Sequence, residues 1–253
     1  MHKKLVIGNW KMNGSLAAND ALLHRLCTRV QADTCEVSVC VPAIYIPQAA
    51  QLLRESAVSW GAQDCSAHQQ GAFTGEISAA MLSDFGCKHV IVGHSERRQY
   101  HNENNQIVVQ KMLRVLETGL SAIVCVGETL AQRQANQTLE VISAQLQSLI
   151  DALKTIDEKQ WLWRVIVAYE PIWAIGTGQT ATAEQAQQVH AEIRKQWEDA
   201  FGMDGERLRI LYGGSVKASN AVELFAQADI DGGLIGGASL KAEEFLAIVD
   251  AAS

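Results

Sequence analysis

Eight short apolar runs alternate along the chain with longer segments of helical spacing. The runs lie at residues 5–9, 37–41, 58–62, 89–92, 122–126, 165–169, 208–212 and 233–235, and the clearest helical segments lie at 17–30, 105–117, 130–153 and 183–201. Such near-continuous apolar runs are typical of parallel strands covered on both faces. Eight repeats in 253 residues give about 32 residues each, close to the roughly 30 of a strand-helix-strand unit. The pattern predicts an α/β fold and favours a closed (β/α)8 barrel over a doubly wound open sheet, which would alternate in the same way.

A single domain over residues 1–253 is expected, because no Pro-, Gly- or Ser-rich linker divides the chain. Apolar residues make up 48% of the sequence and charged residues 19%. That is enough apolar material to bury a large core and too little charge for a disordered protein.

The formal net charge of −7 argues against nucleic acid or an anionic membrane surface as a partner, because both require clustered Lys and Arg. An anionic substrate would therefore need a local positive field. The first apolar stretch ends at Asn9, too early for a signal peptide, and no run approaches the roughly 18 apolar residues of a membrane helix. We expect a cytoplasmic protein.

Six cysteines are scattered without a Cys-x-x-Cys pair or a neighbouring His in metal-ligand spacing. This distribution indicates reduced thiols that pack as small apolar side chains. The sequence also lacks a Gly-x-x-x-x-Gly-Lys-Ser/Thr segment and a paired-His metal motif. We therefore expect no metal, nucleotide or flavin cofactor.

Reactive polar residues follow three of the predicted strands. Asn9 and Lys11 come after the first, His94 and Glu96 after the fourth, and Glu170 after the sixth. In a parallel barrel the carboxyl ends of the strands meet at one face, where binding loops gather. The pattern predicts a base, an electrophile and a cation at one mouth.

Glycine pairs follow the last two predicted strands, as Gly213-Gly214-Ser215 and Gly236-Gly237. A lone Gly-Gly pair is more often a turn, but barrels of this kind frequently hold phosphate after these two strands. Glycine lets the backbone N–H groups approach the anion without a Cβ in the way. The two pairs together predict a phosphate site.

Seven segments of the chain resemble the triosephosphate isomerase family, in the family's order and from end to end. They are GNWKMNG at 8–14, GAFTGE at 71–76, VGHSERR at 92–98, CVGE at 125–128, AYEPIWAIGTG at 168–178, YGGSV at 212–216 and GGASL at 236–240. The resemblance implies a cofactor-free TIM barrel that interconverts dihydroxyacetone phosphate and glyceraldehyde 3-phosphate through an enediolate.

The resemblance also implies a role for each polar residue at the mouth. Glu170 is expected to be the general base, and His94 a neutral imidazole that polarises the substrate oxygens, as is known for this family. Lys11 and Asn9 are expected to contact the substrate, Lys11 at both its phosphate and its developing enediolate oxygen. Glu96 resembles the family's acidic partner near that lysine, which implies a supporting role.

By the same resemblance, Gly176, Ser215, Gly236 and Gly237 bind the substrate phosphate. Residues 171–180 match the family's closing lid, with hinges at Pro171 and at residues 177–178. The sequence departs from the family pattern at Gln179 and Ala183, where Lys and Pro are common. This departure bears on hinge stiffness and not on the catalytic groups.

A homodimer is also implied, because residues 63–76 resemble the family's interdigitating loop. In that arrangement Thr74 reaches towards Asn9 and Lys11 of the partner subunit's active site. A long exposed loop could instead be simply mobile.

Two other functions remain open at this point. A different phosphate-binding barrel enzyme would act on a larger phosphorylated metabolite, although Trp173 and Ile175 of the lid would leave little room for one. A non-catalytic triose-phosphate-binding barrel should have lost a reacting group. All four reacting groups are present in this chain: Asn9, Lys11, His94 and Glu170.

Overall fold

The protein is represented by a computed structural model that describes residues 3–31, 33, 35–156, 159–175 and 180–253. These residues contain a closed barrel of parallel strands in the order β1 to β8. The strands are β1 (Leu5–Asn9), β2 (Glu36–Val41), β3 (Val58–Ala62), β4 (His89–Val92), β5 (Ser121–Val126), β6 (Val165–Tyr169), β7 (Arg209–Tyr212) and β8 (Gly232–Ile235). The predicted (β/α)8 barrel is confirmed, and each strand bound lies within one residue of its predicted position.

Helices surround the barrel and connect successive strands. They are α1 (Leu16–Arg29), α2 (Ile46–Leu53), α3 (Ala79–Asp84), α4 (Ser95–Tyr100), α5 (Asn105–Glu117), α6 (Leu130–Gln134), α7 (Thr138–Lys154), α8 (Ala183–Phe201), α9 (Ala218–Phe225) and α10 (Ala242–Ala251). Short 3-10 helices lie at Ala43–Tyr45, Lys159–Arg164, Ile172–Ala174, Gly202–Arg207 and Gly237–Leu240.

The strands are apolar on both faces because they separate two buried layers. Leu5 and Ile7 of β1 point into the barrel, where they pack with Ile91, Ile123 and other interior side chains. Val6, between them, belongs to the larger cluster that includes the helices. This alternation is the period of two of a strand, with each face covered. It accounts for the continuous apolar runs in the sequence.

The helical segment predicted over 130–153 is divided in the structure into α6 and α7, with a turn between them. Thr129 and Gln132 form a capping box that starts α6. Asn136 then takes the left-handed backbone conformation, with φ of 57°, which asparagine tolerates better than most residues. The Gln137 N–H returns to the Gln132 carbonyl at 2.9 Å. The helical period therefore restarts at Thr138.

The cysteines are free thiols. Burial is the main cause that raises the pKa of Cys35 to about 11 and that of Cys65 to about 12. None of the helices in the described part of the chain combines the length and apolar character needed to cross a bilayer.

Candidate active site

The predicted site residues gather around one cavity at the carboxyl ends of the strands. The cavity has a volume of about 490 Å³, and its walls include Asn9, Lys11, His94, Glu170, Gly213, Gly214, Ser215, Gly236 and Gly237. Glu96 lies outside this lining and forms an ion pair with Lys11. Gly176, predicted to bind phosphate, lies outside the described residues.

Glu170 follows the last residue of β6 and is almost fully buried, with 2% of its surface exposed. Its Oε2 accepts a hydrogen bond of 2.8 Å from the backbone N–H of Ser95. Its Oε1 lies 2.8 Å from Nε2 of His94. Both groups are buried, so this contact between the carboxylate and the imidazole is shielded from solvent. One carboxylate oxygen is thus held by the start of α4, and the other faces His94.

The charge state of Glu170 results from opposing influences. Burial acts to raise its pKa, whereas His94, the Ser95 N–H and Lys11 act to lower it. The lowering influences prevail, and the pKa lies below its usual value. Glu170 is therefore an ionised carboxylate, which is the form that a general base requires.

Two glycines, Gly127 and Gly213, allow the chain to pack tightly around Glu170. The sequence predicted neither of these contacts. A Cβ at Gly127 would lie 1.9 Å from the Glu170 carbonyl oxygen. A Cβ at Gly213 would lie 3.0 Å from the Glu170 Cγ. Because neither position carries a Cβ, Glu170 can occupy its observed position close to both backbones. Gly127 belongs to the CVGE segment, which was the only signal in the sequence for it.

His94 is the N-cap residue of α4. Its Nδ1 accepts a hydrogen bond of 3.2 Å from the Glu96 N–H, so in the neutral ring the proton lies on Nε2, which faces Glu170. Burial acts to lower the pKa of His94, but the neighbouring Glu170 carboxylate outweighs burial and raises the pKa. The raised value thus depends on direct contact with the carboxylate.

Lys11 projects into the cavity from a strained backbone. Its φ of 52° is unusual for a residue other than glycine. The Lys11 N–H donates to Oδ1 of Asn9 at 3.0 Å, and Nε2 of Gln63 donates to the Lys11 carbonyl at 2.9 Å. Gln63 also donates to the Cys40 carbonyl at 2.9 Å, which ties it to β2. Gln63 was not predicted as a site residue, because nothing in the sequence places the start of the 63–76 loop beside the first strand.

The glycine pairs after β7 and β8 form an open cradle beside Lys11. A Cβ at Gly236 would lie 3.6 Å from Lys11 Cε, and one at Gly237 would meet no atom within 4 Å among the described residues. The backbone N–H groups of Ser215 and Gly237 donate to no group in the described part of the chain. Free backbone donors next to an ammonium group suit a phosphate.

The segment after Glu170 is anchored to a buried carboxylate. Residues 172–174 form a 3-10 turn, and Nε1 of Trp173 donates to Oε1 of Glu128 at 2.9 Å. Arg133 stacks over the Trp173 ring at 4.5 Å and lies 3.4 Å from the same Glu128 oxygen. At the far side of this segment, Ala183 is the first residue of α8, where Pro is also favoured. Residues 176–179, including Gln179 and the predicted hinge at 177–178, lie outside the described residues.

Among the described residues, no group of three His, Cys, Asp or Glu side chains is arranged to hold a metal ion. The chemistry available at the mouth is that of a buried carboxylate, an imidazole, an ammonium group and an anion cradle. A parallel barrel with these groups belongs to the class of barrel enzymes that move protons on phosphorylated substrates.

Comparisons with known proteins identify the particular family. The family model described as Triosephosphate isomerase matches residues 4–252. The triosephosphate isomerase of Cupriavidus necator is 58% identical over 251 residues, covering 99% of this chain and 100% of the relative. That of Albidiferax ferrireducens is 55% identical over the full length of both chains. That of Bordetella pertussis is 54% identical over 98% of this chain and 97% of the relative. The chain belongs to the triosephosphate isomerase family.

Proposed function

We propose that this chain interconverts dihydroxyacetone phosphate and D-glyceraldehyde 3-phosphate, with Glu170 as the general base. The observation that carries the assignment is the Glu170 carboxylate, ionised and buried at the cavity wall, with one oxygen held and the other 2.8 Å from an imidazole nitrogen. Aldose-ketose isomerisation needs a base at carbon and an electrophile at oxygen, side by side. Full-length relatives that carry the enzyme's name support the same reaction.

The reaction follows from the positions of the three groups. Glu170 removes a proton from one carbon of the bound triose and returns it to the neighbouring carbon. The Nε2 proton of His94 polarises the carbonyl oxygen and moves between the two oxygens of the enediolate. A bound substrate oxygen would replace the Glu170 carboxylate as the neighbour of Nε2, which removes the contact that raises the His94 pKa. The Glu96 N–H, which donates to Nδ1, then favours a neutral imidazole.

Lys11 and the glycine cradle supply the local positive field that an anionic substrate needs on this acidic chain. Lys11 Nζ stabilises the enediolate oxygen and the phosphate, and Asn9 supports both the substrate and the Lys11 backbone. Ser215, Gly236 and Gly237 donate backbone N–H groups to the phosphate, and Gly176 completes the cradle from the lid. Closure of residues 171–180 excludes water, which protects the enediolate from losing its phosphate.

This reaction belongs to glycolysis and, in the opposite direction, to gluconeogenesis. The proposal takes residues 1–253 as one domain that acts in the cytoplasm without a cofactor. These three points remain predictions.

We further propose that the active enzyme is a homodimer. The 63–76 loop is closed at its base by hydrogen bonds from Ser66 to Ile77 and Glu76, and its tip is a turn with Thr74 exposed. A second cavity of about 660 Å³ lies beside Lys11 and Gln63. Exposed apolar side chains of Met12, Ile44 and Phe73 favour burial against a second copy. The tip of one loop would fill that cavity in its partner.

Sedimentation of Thr74→Arg tests the dimer, with Thr155→Arg on the exposed end of α7 as the matched control. We expect Thr74→Arg to dissociate at micromolar concentration and to lose turnover, whereas the control keeps both. A wild-type protein that sediments only as the 27.6-kDa chain with full activity would disprove the dimer requirement.

The isomerase assignment is tested by supplying glyceraldehyde 3-phosphate to the purified, metal-stripped protein. A reductase that oxidises NADH reports the dihydroxyacetone phosphate formed. Glu170→Asp retracts the carboxylate by one methylene, and a misplacement near 1 Å costs roughly a hundredfold in turnover. Glu140→Asp, on the exposed first turn of α7, is the matched control. Absence of turnover in a folded dimer would instead favour a non-catalytic triose-phosphate-binding barrel.

A further inference from the structure

A third cavity lies at the amino ends of the strands, on the opposite side of the barrel from the catalytic mouth. Its volume is about 240 Å³, and its described lining consists of Lys3, Glu36, Trp163, Arg207 and Arg209. We call it the lower pocket. Three cationic side chains face one carboxylate there, in a chain whose formal net charge is −7. Such a local excess of positive charge is not accounted for by the isomerase site.

Arg209 brings unused hydrogen-bond donors to the lower pocket. Its side chain is only 17% exposed, and Nη1 donates to Oε2 of Glu36 at 2.8 Å. The Nε and Nη2 groups have no partner among the described residues, and neither is fully enclosed by protein. A largely desolvated guanidinium with free donors attracts an anion more strongly than a solvated one does.

Arg207 is held in place by an aromatic ring. Its guanidinium carbon lies 4.3 Å from the centre of the Trp163 ring, and it forms no ion pair with any described residue. Stacking fixes the plane of the guanidinium while leaving its N–H edge available. Trp163 itself is 45% exposed, although indole is costly to leave in water. Arg207 is therefore preorganised to bind an anion through two parallel hydrogen bonds.

We propose that the lower pocket binds a phosphate dianion, either free phosphate or the phosphate group of a small molecule. The guanidinium groups of Arg207 and Arg209 can each bind a pair of phosphate oxygens, whereas a single carboxylate has only two oxygens to share between them. The volume is below the roughly 300 Å³ of pockets for drug-sized ligands. A nucleic acid is disfavoured because the rest of this acidic chain would repel a polyanion.

Occupation of the lower pocket would stabilise the fold and leave turnover unchanged. A bound phosphate would join segments that meet at the amino ends of the barrel: Lys3 before β1, Glu36 at the start of β2, Trp163 before β6 and Arg209 at the start of β7. This end of a barrel contributes to stability, whereas chemistry takes place at the other end. The inference is thus independent of the isomerase assignment.

Nuclear magnetic resonance of the six tryptophan indole N–H groups separates the two phosphate sites. Trp163 reports the lower pocket, and Trp10 lines the catalytic cavity; the Trp163 signal is assigned with Trp163→Phe. Inorganic phosphate, and separately glycerol 2-phosphate, are titrated at constant ionic strength. We expect the Trp163 signal to shift and saturate for at least one of the two, with a dissociation constant distinct from that reported by Trp10.

Arg207→Gln should weaken this binding about tenfold or more, because it removes a charge-assisted pair of hydrogen bonds. It should leave kcat and the inhibition of turnover by phosphate unchanged. Arg54→Gln removes the same charge from an exposed position outside the pocket and should leave the Trp163 titration unaltered. A Trp163 signal that responds to neither inorganic phosphate nor glycerol 2-phosphate more than to chloride would overturn the proposal, as would an unchanged titration in Arg207→Gln.

Discussion

The backbone N–H of Ser95 holds Oε2 of Glu170 at 2.8 Å. Ser95 is the first residue of α4, so its N–H has no acceptor within the helix and is free to serve the carboxylate. The helix that positions His94 as its N-cap thus also positions the base. The start of α4 therefore positions both the His94 imidazole and the Glu170 carboxylate, and it sets the distance between them.

We predict that Ser95→Pro moves the acid limb of kcat/KM to higher pH. The backbone accepts proline, because proline is tolerated at the first position of a helix and His94 before it already has the extended conformation that proline requires, with φ −52° and ψ 142°. The proline Cδ replaces the hydrogen that points at Oε2, so the carboxylate also has to shift and kcat should fall as well. The change removes the N–H that helps to lower the Glu170 pKa. Loss of this donor raises the Glu170 pKa, so the acid limb moves to higher pH.

Ser95→Ala is the control for this prediction, because it removes the hydroxyl and keeps the N–H. Its profile should match that of the wild type, in which activity falls only as the pH drops below the usual pKa of a glutamate. Identical acid limbs in Ser95→Pro and Ser95→Ala would show that the backbone donor does not set the ionisation of Glu170.

We predict that His94→Gln lowers kcat by roughly 10²- to 10⁴-fold, the range expected for loss of acid-base chemistry. Glutamine can donate a hydrogen bond to the substrate oxygen but cannot pass a proton between two oxygens. Affinity for a non-reacting phosphate such as glycerol 3-phosphate should change little, because the glycine cradle is intact. Steady-state kinetics and an inhibition constant measure the two effects, and a kcat close to that of the wild type would contradict the role of His94.

Strand positions could be predicted from the sequence because each strand is buried on both faces and is apolar throughout. The interruption between α6 and α7 could not, because it depends on the left-handed backbone of Asn136 and on capping by Thr129 and Gln132. Both are local features that leave the hydrophobic period of the flanking helices intact. A prediction from the hydrophobic pattern alone therefore joins the two helices into one.

The site was predictable to the extent that its residues follow strands directly. The carboxyl ends of parallel strands converge, so Asn9, His94 and Glu170 had to lie near one another in a closed barrel. The bonds of Gln63 to the Lys11 and Cys40 carbonyls depend on the relative register of β1, β2 and β3, which the sequence does not reveal. The same is true of Gly127, whose importance arises from its contact with the next strand.

We predict that Gly127→Ala lowers kcat although it removes no chemical group. Its Cβ would stand 1.9 Å from the Glu170 carbonyl oxygen, so the backbone that carries the base must move. A displacement near 1 Å costs roughly a hundredfold in turnover.

Gly237→Ala is the comparison, because its Cβ meets no described atom within 4 Å. This variant should raise KM by crowding the phosphate. Kinetics of the folded fraction, checked by circular dichroism, distinguish the two variants. An unaltered kcat in Gly127→Ala would contradict the positioning role.

We predict that the free energy of unfolding decreases as the pH falls from about 6.5 to about 4, in part because of His190. This side chain is fully buried in α8, and burial is the main cause that lowers its pKa to about 4. In that interval the unfolded chain binds a proton at this position and the folded chain does not, so stability rises with pH. The difference of about 2.5 pH units corresponds to about 3 kcal/mol.

His190→Asn isolates this contribution in urea unfolding measured at pH 4 and pH 7. Asparagine can replace the ring nitrogen that lies 3.1 Å from the Asp229 carbonyl, but it does not titrate. The variant should be less stable than the wild type at pH 7, because it leaves a cavity, and should lose less stability on acidification. His24→Asn, an exposed position, is the control and should follow the wild-type pH dependence. An equal loss of stability in His190→Asn and the wild type between the two pH values would show that His190 is not responsible.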